Sequence, residues 1–112
     1  MEEIVQMAER LGKAIAASPQ AAALRQARKA MAAEEETPQI LKQYQEQATK
    51  IAELEAGQKP VEPDDKHKLE QLHQKLIATE SFKKLTAAQV EYVDVVRKVN
   101  DVIRKHLAET ES

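Results

Sequence analysis

From Glu80 to about Leu107 no glycine or proline interrupts the chain, yet Val90, Val93, Val95, Val96, Val99 and Val102 crowd into that stretch. The apolar residues recur with a helical period. Valine is a mediocre helix former, because its branched side chain loses rotamer freedom against the preceding turn. Propensity does not select six valines, so packing must. On a helical wheel Phe82, Leu85, Tyr92, Val95, Val96, Val99, Val102 and Ile103 cover an arc of roughly 180°, against the ~100° stripe of an ordinary surface helix. Lys83, Asp94, Arg97, Lys98, Asp101, Arg104 and Lys105 take the opposite face, with Asp94 and Lys98 at the favourable i,i+4 spacing.

Length sharpens this constraint. About 27 helical residues measure ~40 Å, whereas a compact domain of 112 residues has a diameter of roughly 35 Å. Half the girth of so long a helix can pack on its own bundle, and the remainder needs a cover. A second copy is the simplest one, because identical apolar faces are self-complementary about a two-fold axis. The alternative is a monomer whose shorter helices wrap the whole stripe. The stripe is therefore an association and core surface, with the division between the two roles left open.

The rest of the chain reads as helix too. Ser18-Pro19 and Thr37-Pro38 each place an N-cap hydroxyl before the ring that best tolerates a first helical position. Pro60 and Pro63 bracket the only extended loop, about 57–63, which Gly57 opens as a helix C′ residue. Asp64 and Asp65 then oppose the positive end of the next helix. These marks predict about five helices, near 2–17, 19–33, 38–56, 63–78 and 80–107, in a single domain over 1–112. Ile4, Ala8, Leu11 and Ile15 share a face of the first. Leu69, Leu72, Leu76 and Ile77 share one of the fourth. No segment keeps a period of two, and two glycines with four prolines are too few turn residues for a many-stranded sandwich or barrel. The fold class is all-α, a helical bundle that associates as a dimer.

Composition removes several functions. With no cysteine, the chain alone carries no disulfide, thiolate nucleophile, Cys-ligated zinc or iron–sulfur cluster. No apolar run approaches the roughly 18 residues of a membrane span, and Met1-Glu2-Glu3 lacks the positive start of a signal peptide. A cytoplasmic protein with no membrane role is expected. A mixed net charge of −2 argues against a strong nucleic-acid partner. Lys83-Lys84, Arg97-Lys98 and Arg104-Lys105 do recur along one helix. Glu91, Asp94 and Asp101 interrupt them, and no aromatic lies among them to stack a base, so an RNA-associated role is only an alternative.

One pattern hints at a metal. Glu70-Gln71-Leu72-His73 matches the Glu-x-x-His element of di-iron bundles. Glu46 and Glu53 fall on or near the polar side of the third helix, so the further glutamates of such a site are missing. Glu70 and His73 stay as an alternative metal pair beside the plainer reading of a core-edge histidine. Ser18, Ser81 and Ser112 have no helical neighbour that could act as a base. No cofactor and no catalytic group are expected.

The order of features resembles one family. Leu11-Gly12-Lys13-Ala14-Ile15-Ala16-Ala17-Ser18 closes the first helix, an Ala-rich helix and an acidic break follow, and Gln39-Ile40-Leu41-Lys42-Gln43-Tyr44-Gln45-Glu46 opens a Gln/Glu-rich helix. After the Gly/Pro loop and a leucine-spaced helix, the valine-rich helix runs through Val99-Asn100-Asp101-Val102-Ile103. From about Ile4 to Leu107 the chain resembles the YlbF/YmcA family of small bacterial regulators. That resemblance implies a non-enzymatic helical adaptor that pairs through long helices, as a homodimer or with sister regulators or another protein. Members affect competence, sporulation and biofilm formation, and a complex of them acts with an mRNA-processing ribonuclease. Some carry a cysteine-bearing tail that contributes to iron–sulfur clusters. With no cysteine here, that property is not carried over.

Overall fold

A computed structural model describes residues 1–111 and gives them five helices: α1 (Glu2–Ala16), α2 (Pro19–Ala32), α3 (Glu36–Ala56), α4 (Pro63–Ile77) and α5 (Glu80–Glu111). No strand occurs among the described residues, so the chain is all-α as its periodicity requires.

Ser18 makes the first junction as expected. Its Oγ accepts from the Ala21 N–H at 3.1 Å and donates to the Ile15 carbonyl at 2.6 Å, so one hydroxyl closes α1 and opens α2. Thr37 does not repeat the device. α3 starts earlier, at Glu36, and Thr37 is inside the first turn, 4% exposed. The Glu34 carboxylate accepts from the hydroxyls of Ser81 and Thr37, which hold it below the usual carboxylate range. Glu34 thus ties the chain before α3 to Ser81 in the first turn of α5.

At the far end of α3 the left-handed residue is Gln58, with φ 56°, not Gly57, with φ −85°. The Gln58 N–H bonds to the Glu55 carbonyl at 3.1 Å and the Lys59 N–H to the Leu54 carbonyl at 2.8 Å. That paired closure is the Schellman arrangement, set one residue beyond the glycine, which takes the cap position itself after Ala56. α5 also outlasts its last apolar residue. Ala108 and Glu109 are good helix formers, and His106 Nδ1 lies 3.4 Å from Glu109 Oε1, so His106 sits a turn short of the end rather than at it.

The contacts divide the chain into two compact units. One comprises Lys29–Lys84, the other Met1–Arg28 with Leu85 onward. In the first, α3 and α4 form an extensively packed pair. Ile40, Leu72 and Leu76 make its core, joined by the half-buried Leu41, Tyr44 and Phe82, and Leu76 is only 1% exposed. Gln47, 5% exposed, donates its Nε2 to the Asp65 carbonyl at 2.9 Å, and Lys50 Nζ meets Asp65 Oδ1 at 3.0 Å. These bonds fix the register of α3 on the first turn of α4. In the second unit the buried residues are Ala21, Leu24, Leu85 and Ala88. Arg25 Nη1 reaches the Ala16 carbonyl at 3.0 Å, placing a cation at the negative end of α1.

Candidate association surface

The α5 stripe changes character along its length. Phe82 joins the α3/α4 core, and Leu85 is buried. Tyr92, Val95, Val96 and Val99 are half-buried. Val102 is 59% exposed, and Ile103 and Leu107 are exposed as well. The expected core part is therefore the first two turns. From Tyr92 onward the stripe is progressively uncovered.

α1 goes further. Its apolar residues share a face as their spacing requires, yet none of its residues is buried, and Ile4 is 70% exposed. Sequence reasoning assigned the excess apolar surface to α5 alone. The missed signal was the breadth of α1: Val5, Met7, Gly12 and Ala14 widen the Ile4–Ala8–Leu11–Ile15 face, and every charge lies opposite. Gln47 and Arg25, which organise the two units, were also passed over. Gln47 could have been found, since it occupies the 40–44–47–51–54 seam of α3 as its one polar member.

The other candidates converge on nothing comparable. Glu70 Oε1 accepts from Gln74 Nε2 at 2.9 Å, and exposed His73 lies beside Tyr44, ring centroids 6.0 Å apart. His67 Nε2 and Gln71 Nε2 stand 3.2 Å apart. Among the described residues no three of His, Asp and Glu are grouped to hold a metal. On the polar face of α5, Asp94 takes both Arg97 and Lys98, the latter at 2.9 Å, and these bonds hold the Asp94 carboxyl below the usual range. Two of the basic residues are thus engaged by an acid of their own helix. No helix among the described residues is long and apolar enough to cross a membrane.

The model of one protein family, described as control of competence regulator ComK, YlbF/YmcA, matches residues 4–108. The chain belongs to the YlbF/YmcA family. Its fold is similar to that of a protein of unknown function (DUF964) from Bacillus stearothermophilus, at 18% identity and a TM-score of 0.77, over 96% of this chain and 94% of that one. It is also similar to the crystal structure of Bacillus subtilis RicA in complex with RicF, at 17% identity and a TM-score of 0.81, over 98% and 97%. No curated protein sequence matches. The YlbF/YmcA fold is thus shared nearly end to end at low identity, which leaves the association surface to be argued from the side chains of this chain.

Proposed function

We propose that this YlbF/YmcA member is a non-enzymatic regulatory adaptor, acting by helix-to-helix association with a second copy through α5 and with another helical protein. The carrying observation is the apolar surface left open in the unit formed by 1–28 and 85–111. On the stripes of α1 and α5, Ile4, Val5, Met7, Leu11, Val102, Ile103 and Leu107 are all exposed there, and Tyr92, Val95, Val96 and Val99 are half-buried. Full burial of such a side chain removes about 60–120 Å² of apolar area, so the seven exposed ones with the remainder of the four half-buried ones offer roughly 300–550 Å². A standard interface takes about 800 Å² from each partner, and a homodimer interface is about 65% apolar, which requires roughly 500 Å². The supply matches the demand.

A solved protein of the same fold, RicA, is found in complex with RicF, which supports a role exercised through protein partners. The test is analytical ultracentrifugation across concentration. A dimer at tens of micromolar is expected. Val99→Asp sets an unpaired carboxylate in the joint, and should raise the dimer dissociation constant by at least about 100-fold while leaving a folded monomer. A wild-type monomer at that concentration sinks the homodimer, and a tight Val99→Asp dimer mislocates the joint.

A further inference from the structure

We infer that α1 is part of the dimer joint: α1 and the Tyr92–Leu107 half of α5 from two copies form a four-helix bundle. This rests on the homodimer reading above and adds a second element to it.

In α1 the residues Ile4, Ala8, Leu11 and Ile15 recur at spacings of four, three and four, the a/d pattern of a helix seam. Tyr92, Val96, Val99 and Ile103 repeat that spacing in α5. In a two-stranded coiled coil the positions flanking such a seam are charged. Here they are Val5, Met7, Gly12 and Ala14 in α1, and Val95 and Val102 on one side of α5. A helix apolar at the seam and its flanks faces two neighbours at once, as in a four-helix bundle.

The single chain does not supply those neighbours. No residue of α1 is buried, and beyond Ala88 none of α5 is. Two copies do supply them, since each contributes one α1 and one α5 about the two-fold axis. The lengths agree: Ile4 to Ile15 and Val96 to Leu107 each rise about 17 Å. No flanking position of either seam between residues 4 and 107 carries a charge, so like sequences meet without repulsion. The small Ala8, Gly12 and Ala14 admit a close neighbour, and nothing lies within 4 Å of where a Gly12 Cβ would sit.

The experiment compares full-length variants by analytical ultracentrifugation and circular dichroism. Ile4→Asp/Leu11→Asp should raise the dimer dissociation constant at least about 100-fold. Gln6→Asp/Arg10→Gln makes the same change in net charge on the opposite face and should move it less than about threefold. If Ile4→Asp/Leu11→Asp dimerises like the wild type while Val99→Asp is monomeric, α5 pairs alone and α1 is overturned. If the wild type is monomeric, or pairs only with a different protein, both readings fall. Should the double variant lose helix beyond α1, the absence of native cysteine permits a second measurement. A Leu11→Cys chain is mixed in turn with Val96→Cys, Val99→Cys or Ile103→Cys chains and treated with a short bis-maleimide. A mixed cross-linked dimer in at least one pairing supports the bundle, and none in any pairing overturns it.

Discussion

The two units of this chain are built from similar residues and end in opposite conditions. Lys29–Lys84 turns its leucines inward, and Ile77 is the single large apolar side chain recorded as exposed there among the described residues. The unit made by 1–28 and 85–111 exposes ten, from Met1 to Leu107. The difference comes from connectivity rather than composition. α3 and α4 are joined by a short Pro-bracketed loop and fold back on one another, so each covers the other's stripe. α1 and the distal half of α5 have comparable stripes but no such mate within the chain. A helix is amphipathic by sequence and buried only by its neighbours. The first unit completes its core alone, whereas the second leaves its apolar stripes open.

The sharpest way to break that contrast is to damage the closed unit. Leu76→Ala should cost about 2–5 kcal/mol, because the site is sealed and cannot collapse around the lost methyl groups. The loss should read the same at every protein concentration in urea unfolding. The effect of Val99→Asp should instead fade on dilution, once the wild type itself dissociates. If Leu76→Ala were as concentration-dependent as Val99→Asp, the two units would not be energetically distinct.

How far each unit was legible follows the same line. Capping hydroxyls, prolines and the 3.6-residue period are local signals. They placed the five helices with ends shifted by at most a few residues, and they identified Ser18 and Pro63 in their actual roles. Where a distant partner intervenes, the local reading failed. Thr37 has all the marks of an N-cap, but it is buried inside the first turn of α3 and bonded to Glu34, which Ser81, far along the chain, also holds. The apolar pattern sets the end of the last helix near Leu107, while the helix needs no apolar residue to continue to Glu111. The α5 stripe was visible as an excess. Its division at Tyr92 was not, because burial depends on which helices fold back, and a periodic pattern does not carry that information.

A smaller change should improve the closed unit without touching its core. Gln58 holds a left-handed backbone at the end of α3, where a side chain is strained and glycine is not. Gln58→Gly should therefore add about 0.5–1 kcal/mol, again independently of concentration. Thermal melts of the two proteins at equal concentration measure it. A loss would mean that Gln58 makes contacts worth more than its strain, and that the loop contributes to the closed unit instead of merely connecting it.

The smallest effect belongs to the ion pair across α3 and α4, and pH isolates it. Lys50 donates to the Asp65 carboxylate and, with lesser help from the backbone of Glu62, holds its pKa below the usual carboxylate value. The folded state therefore binds this proton less readily than the unfolded chain. The stabilisation is complete above the ordinary Asp range and is lost as pH falls through the lowered folded value. Lys50 is 58% exposed, so water screens much of the attraction. Lys50→Met should thus lower the urea midpoint only slightly at pH 7, and the two midpoints should converge in acid, below the range where the carboxylate ionises. The Gln47 bond runs to the Asp65 carbonyl and does not titrate, so it holds the same register at both ends of the scale. A midpoint difference that survives in acid would assign the role of Lys50 to the packing of its methylene stem, and the α3/α4 joint would then owe its register to Gln47 alone.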